Sequence, residues 1–238
     1  VEPSGITLLV KSWMNPEVVW VEEKTAVIKV IELFKLRRLL FVPVLRKGKV
    51  VGLIGDRDVR DVSPSKTAVM DVRELHYLLS RMQAGDIMQP NPTTIRPEDT
   101  IEVAAIRMLD HNVTAIPVVE ARGRLRGIIT QGDVMKALIS ITGILHGGVQ
   151  LAVTLSQSSE GIEKLTGAIK ENGGRIISIL GTKSAEEQET RQVFIRIMSM
   201  PEKDLKKLLS RLRKRFGVIS VKKDPLQKKG HDRSGLPE

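Results

Sequence analysis

Apolar residues at Val27, Val30, Ile31 and Phe34 follow the i, i+3, i+4, i+7 spacing of a buried helix face. The same steps recur at Ile101, Ala104, Ala105 and Met108. Thr25 and Asp99 stand just before these stripes and are the expected N-caps. Two apolar runs follow each helix, "LLFVPVL" with "KVVGLI" and then "TAIPVV" with "LRGIIT". A loop holding Gly48 or Gly123 joins each pair, which predicts two hairpins. A short strand is expected ahead of each helix, around Val18–Val21 and Thr93–Ile95, and a second helix after each of the turns "GLIGDRD" and "GIITQGD". Met14 and Met88 lie 74 positions apart, as do Pro43 and Pro117; Gly52/Gly127 and Asp58/Asp133 lie 75 apart. The extra residue falls in the loop, where "LRKGKVVG" becomes "VEARGRLRG". Register, caps and insertion agree, so the first part of the chain is an internal repeat.

Between the repeats, "SPSKT" breaks the pattern and precedes a helical stretch with Val72, Leu75, Leu79 and Met82 on one face. After Gly147–Gly148 the order changes. "GVQLAVTL", "RIISIL", "QVFIRIM" and "GVISVKK" read as strands, and "SEGIEKLTGAIKENGG" and "PEKDLKKLLSRLRKRF" as helices. That is β-α-β-β-α-β, the ferredoxin-like split βαβ order. From Asp224 onward the apolar content is low, and a disordered tail is expected.

Composition narrows the function classes. No apolar run approaches the ~20 residues of a bilayer span, and the N-terminal "VEPSGITLLVKSW" lacks a secretory pattern, so a soluble cytoplasmic protein is expected. The chain has no cysteine, which removes thiol chemistry and thiolate metal sites. His76, His111, His146 and His231 are scattered without metal-ligand spacing, and no G-x-S-x-G, P-loop or G-x-G-x-x-G motif occurs. Glu22–Glu23 and Glu186–Glu187 read as solvated charge. No catalytic constellation, metal site or prosthetic group is expected. The net charge is +10, and residues 141–238 carry 18 Lys and Arg against 11 Asp and Glu. Much of that excess sits in "LKKLLSRLRKRF", where Leu205, Leu208, Leu209 and Leu212 share one face. The basic side reads either as the solvated face of a packed helix or as a surface for an acidic partner. Aromatic interleaving and DNA-reading motifs are absent, which argues against nucleic acid.

"FVPV…GLIGDRD" and "AIPVV…GIITQGD" match an h-P-V-V…G-h-h-T-x-x-D signature, and the pair resembles tandem cystathionine-β-synthase (CBS) domains. The third segment is similar to an ACT domain, a small amino-acid-sensing module. The order CBS–CBS–ACT with the inter-repeat segment is similar to that of the acetoin-utilisation AcuB-type proteins. The resemblance implies an α/β (α+β) architecture: CBS domains over 6–66 and 85–145, an inter-repeat helix over 67–84, a ferredoxin-like ACT domain over 148–223 and a tail over 224–238. It implies a non-enzymatic, homodimeric regulatory protein that binds adenosine-containing nucleotides (AMP, ADP, ATP or S-adenosylmethionine).

The residues of the repeated turns suit that ligand. Unpaired N–H groups at a helix start favour phosphate, Gly52 and Gly127 permit close approach, Thr130 offers a hydroxyl, and an ionised carboxylate can accept from both ribose hydroxyls. Asp58 and Asp133 have a plainer reading as helix N-terminal caps. By the resemblance, Thr130 and Asp133 should meet Phe41 and Val42 across one cleft, while Gly55 and Asp58 meet Thr114 and Ala115 across the other. Gly55 stands where a hydroxyl is expected, with Arg57 a substitute cation for phosphate. Phe41 either stacks on adenine or fills its space. In the ACT-like turn "SQSSEGIEKL", Gly161 is the candidate amino-acid contact. Glu160 replaces the family's proline there, Gln157 or Ser158 takes the acidic position, and a plain cap at Ser158 or Ser159 in a dimerising domain is the other reading. The competing overall reading is an interaction module with empty clefts whose basic C-terminal helix contacts an acidic partner or nucleic acid.

Overall fold

The computed structural model describes residues 7–62, 77, 79–156, 160–183 and 190–224. Val72, Leu75, His76, Gln157, Ser158, Ser159, Glu186–Glu187, His231 and the expected tail beyond Asp224 lie outside the described residues. The chain divides into two units, Val1–Ala137 and Leu138–Glu238. Among the described residues no helix is long and apolar enough to cross a membrane.

In the first unit, β1 (Val21–Glu22) lies parallel to β2 (Phe41–Arg46), which pairs antiparallel with β3 (Lys49–Gly55). Helix α1 (Val27–Arg37) connects β1 to β2 and buries the expected stripe Val27, Val30, Ile31 and Phe34. Helix α2 (Asp56–Val62) follows β3 directly. A short α3 (Ala84–Ile87) and β4 (Gln89–Pro90) lead into the second copy: α4 (Ile101–Asp110), β5 (Ala115–Val119), β6 (Leu125–Thr130) and α5 (Gln131–Thr142), which from Leu138 on belongs to the second unit. The pairings repeat. Val21 partners Val44 in parallel, and 74 positions later Ile95 bridges Val118 in parallel. Each hairpin has its register shift at the same step, Val44/Leu45 and Val118/Val119.

Four expectations about strands and caps need correction. The strand expected at Thr93–Ile95 is reduced to the single bridge at Ile95, and that at Val18–Val21 shifts to Val21–Glu22. Thr25 does not cap α1, whose N-cap is Ala26; Thr25 instead uses its main chain, taking the Ala84 N–H on its carbonyl at 2.7 Å. Thr100 rather than Asp99 caps α4, accepting from the Val103 N–H. Asp99 braces the preceding turn by accepting from the Arg96 N–H at 3.1 Å.

The repeats are knitted by exchange of their leading segments. β4, at the start of the second copy, pairs antiparallel with β3 of the first, Gly52 opposite Pro90. Reciprocally, Asn15 at the start of the first copy exchanges hydrogen bonds of 2.9 and 3.0 Å with Ile128 in β6 of the second. Met88 and Met14 thus lie against Gly52 and Gly127, and a Cβ at either glycine would overlap a methionine side chain. The close approach that these glycines permit is made by the protein's own methionines. Between the hairpins, Leu53, Ala115 and Ile128 form a small buried cluster with Val18 and Phe41 packed on it.

In the second unit, β7 (Val149–Ser156), β8 (Ile176–Lys183), β9 (Thr190–Ile197) and β10 (Gly217–Lys223) form an antiparallel sheet of order β10-β7-β9-β8. With α6 (Glu160–Glu171) and α7 (Glu202–Arg215) as crossovers this is the split βαβ topology. Leu151, Val153, Val193, Ile195 and Ile197 pack with Leu165, Ile169, Leu205, Leu208 and Leu212. Strand alternation sends Arg196 away from that core, yet it is only 4% exposed. Its Nε donates to the Thr142 carbonyl at 2.8 Å, which also takes the Ser178 hydroxyl at 2.8 Å, and its guanidinium pairs with Asp224. Asp224 is buried and paired, which corrects its placement at the head of a disordered tail. Lys203, Lys206, Lys207, Arg211, Arg213, Lys214 and Arg215 are exposed while Leu205, Leu208 and Leu212 are buried, so α7 has the geometry of a packed helix with a solvated face.

Two measurements check this packing. Gly127→Ala places a Cβ 2.7 Å from Met14 Sδ and 2.8 Å from the Asn15 carbonyl oxygen, so it should lower unfolding free energy by about 1–3 kcal/mol. Gly52→Ala meets only the flexible Met88 side chain. Chemical denaturation should show a smaller loss there, partly recovered by adding Met88→Ala, whereas Met14→Ala should not rescue Gly127→Ala. Asp224→Ala leaves the Arg196 guanidinium buried without its counter-charge and should cost about 3 kcal/mol by the same assay.

Candidate functional site

Each hairpin delivers its last residue to the start of a helix. β3 ends at Gly55 and α2 begins at Asp56; β6 ends at Thr130 and α5 begins at Gln131. The third helical residue is the repeated aspartate, and in both copies it reaches back. Asp58 Oδ2 accepts the Gly55 N–H at 2.7 Å, and Asp133 Oδ2 accepts the Thr130 N–H at 3.0 Å. In the second copy the exchange is mutual, because Thr130 Oγ1 accepts the Asp133 N–H at 3.3 Å. This is a capping box. The first copy has only its carboxylate half, because Gly55 has no hydroxyl. Both aspartates therefore have the plainer structural role.

The two carboxylates differ beyond that. Asp133 Oδ2 also takes the Thr130 hydroxyl proton at 2.6 Å, and Oδ1 faces Lys136 Nζ at 3.3 Å. Both oxygens are engaged within its own helix turn. The Thr130 proton is committed, so this hydroxyl can accept from a ligand and has no proton left to give a phosphate. Among the described residues Asp58 Oδ1 meets only a long contact of 3.3 Å from Gln89 Nε2. Asp58 is the more available carboxylate.

One cleft of about 500 Å³ gathers both turns. Its walls include Phe41, Gly55, Arg57, Asp58, Thr114 and Thr130, six of the nine nucleotide-contact candidates. The structure brings the two turns to one space where two clefts are expected from the sequence. Phe41 sits opposite Gly55 in the β2–β3 register, and Ala115 opposite Thr130 in β5–β6, so these neighbours belong to the same repeat. The Phe41 ring lies across Gly55: a Cβ there would be 3.5 Å from Phe41 Cε1 and 3.4 Å from Asp58 Oδ2, ordinary contact.

Three candidates fall outside the walls. Val42 is fully buried and Ala115 is 3% exposed in the cluster with Leu53 and Ile128, so neither side chain is presented. Asp133 is turned to its own cap. Gln89, Leu40, Arg60, Gln131 and Gly132 line the cleft without having been singled out in the sequence. Gln89 had a signal, since it follows the repeat anchor Met88 that carries it across to β3. Arg60 pairs with Asp56 at 2.9 Å, whereas Arg57 has no ion-pair partner among the described residues. Gly161, the amino-acid candidate, is the second residue of α6; a Cβ there would be 3.4 Å from the Ser156 carbonyl oxygen, a contact that an alanine also tolerates. Among the described residues no group of three or more His, Asp or Glu is placed to hold a metal ion.

Comparison with known proteins bears on both repeats. The CBS domain family model matches residues 10–65 and 84–140. The protein MJ1426 of Methanocaldococcus jannaschii is 31% identical over 159 residues, a match covering 57% of this chain and 94% of that protein. The chloroplastic CBS domain-containing protein CBSX2 of Arabidopsis thaliana is 30% identical over 139 residues, 51% of this chain but only 58% of CBSX2. A solved structure of CBSX2 in complex with AMP is 29% identical and covers 57% of this chain and 99% of that one, with a TM-score of 0.46. The family match to each repeat and a relative related across nearly its whole length lead to one conclusion: this chain belongs to the CBS-domain proteins, as a tandem CBS pair.

Proposed function

We propose that the chain is a regulatory, non-catalytic sensor whose paired repeats bind an adenosine-containing nucleotide in the cleft between their turns. One observation carries the reading: Phe41, the cation Arg57, the half-committed carboxylate Asp58 and the acceptor Thr130 converge on a single space of about 500 Å³. That size suits a small ligand. In the proposed pose, adenine lies against the Phe41 ring, a ribose hydroxyl donates to Asp58 Oδ1, and the phosphate meets Arg57. Asp133 acts by fixing the Thr130 rotamer. Sequence kinship to CBSX2, which has been seen with AMP, supports an adenosine ligand over other nucleosides.

The signal leaves along α5. This helix begins in the cleft at Gln131, and its residues from Leu138 on belong to the second unit. A ligand biases that helix only by binding two arrangements unequally. The split βαβ topology of the second unit supports reading it as an ACT domain, and the order of domains supports an AcuB-type assignment; Gly161 would face an amino acid there. Leu36 and Leu109, 83% and 76% exposed on α1 and α4, support a homodimer that covers these faces. The absence of cysteine suits a cytoplasmic setting. The exposed cations of α7 favour a second reading, an interaction module with an empty cleft whose basic helix meets an acidic partner or nucleic acid.

Calorimetry with AMP, ADP, ATP and S-adenosylmethionine tests the proposal. At least one should bind, and Asp58→Ala should weaken it tenfold or more, equivalent to about 1.4 kcal/mol. Asp133→Ala removes the same type of cap, so both variants should lose about 1 kcal/mol of stability. Asp133→Ala should cost much less affinity. No heat with all four compounds, together with salt-sensitive retention of an oligonucleotide, would establish the second reading instead.

A further inference from the structure

The two hairpin turns carry a second repeated motif that the nucleotide cleft does not use. Lys47–Gly48–Lys49 and Arg122–Gly123–Arg124 have the same cation–glycine–cation form, 75 positions apart. Both are held in left-handed backbone, with φ of 51° and 75° at Lys47 and Gly48 and 66° and 80° at Arg122 and Gly123. The fold then brings the tips together, because Lys49 and Arg124 are partners in an antiparallel bridge. Like charges directly opposite one another on paired strands oppose folding. Arg96 joins them, and the five cations line a concavity of about 820 Å³.

Neutralisation from within the chain is slight. Among the described residues none of the five cations has an ion-pair partner. Of the two carboxylates in the wall, Glu120 pairs at 3.0 Å with Arg126, which lies outside it, and Glu98 remains. A concave surface on which one sign predominates focuses potential and concentrates counter-ions.

We infer that this concavity binds a small polyanion carrying two or more phosphate groups, at a site separate from the nucleotide cleft and built from both repeats at once. A compact oligophosphate can reach Lys49 and Arg124 together and relieve their repulsion, with Arg96, Lys47 and Arg122 closing around it. Guanidinium groups give paired hydrogen bonds to phosphate oxygens. Because the tips come from both copies, such a ligand would bind only the assembled pair and would clamp it.

Inorganic tripolyphosphate titrated into the full chain by calorimetry tests this. The expected result is binding that weakens as salt is raised and falls tenfold or more in the double variant Lys49→Gln/Arg124→Gln. Arg57→Gln and Asp58→Ala, which alter the nucleotide cleft, should leave it unchanged. The double variant also removes the like-charge pair, so without ligand its melting temperature should equal or exceed that of the parent, and added tripolyphosphate should raise the parent's melting temperature more than the variant's. The inference is overturned by no binding at low salt, by binding lost in Arg57→Gln but kept in the double variant, or by a lower melting temperature of the ligand-free double variant. A single-stranded oligonucleotide that binds through the same residues tenfold more tightly than tripolyphosphate would also overturn it, in favour of a nucleic-acid surface. Failure of the adenosine reading would leave these outcomes intact, since they turn on different residues.

Discussion

The reciprocal exchange of leading segments determines much of the first unit. Met14–Asn15 crosses to Gly127–Ile128, and Met88–Pro90 crosses to Gly52–Leu53. A two-stranded hairpin is at best marginally stable alone. Each repeat here gains a third antiparallel neighbour from the other, through main-chain bonds that need a bare glycine backbone and a methionine to fill the remaining space. The exchange binds the repeats to each other, so the turns at Gly55–Asp58 and Thr130–Asp133 can form one cleft, and the tips at Lys49 and Arg124 can meet.

Much of this architecture is legible in the sequence because it is written twice. The helix stripes at Val27–Phe34 and Ile101–Met108 and the two hairpins appear where their periodicity places them. The split βαβ order of the second unit is equally plain, since each strand and helix there has an uninterrupted apolar pattern. Errors gather where the governing contact is long-range or one residue wide. Thr100 and Asp99 are both good capping residues, and only the backbone turn decides between them. The strand at Thr93–Ile95 has β-rich composition, but only Ile95 finds a partner. Asp224 reads as the start of a polar tail, and its burial depends on Arg196, a residue 28 positions away whose outward strand position suggests solvent.

The candidate site was legible in kind and less so in arrangement. Its chemistry lies in local motifs, so Phe41, Gly55, Arg57, Asp58, Thr114 and Thr130 could be singled out by position alone. Which atoms they present is a matter of register. Val42 and Ala115 lie in stretches of strand buried on both faces, each one residue past an accessible neighbour, Phe41 or Thr114, and Gln89 enters only through the exchange of β4. Alternation assigns faces reliably within a strand. It does not reveal which strands from distant parts of the chain will share an edge.

Gly55 and Asp61, where the second copy has Thr130 and Lys136, explain why two nearly identical turns differ in what they offer. In the second copy the Thr130 hydroxyl and the Asp133 carboxylate satisfy one another, closing a capping box that spends both groups on the helix start. In the first copy Gly55 has no hydroxyl and the Phe41 ring lies across it, while Asp61 stands where the second copy has Lys136, so among the described residues Asp58 Oδ1 meets only Gln89. Glycine costs only a few tenths of a kcal/mol relative to serine or threonine at an N-cap, so the asymmetry is cheap in stability. Duplicated turns can therefore diverge, one towards holding its helix and the other towards holding a ligand, by the exchange of two side chains.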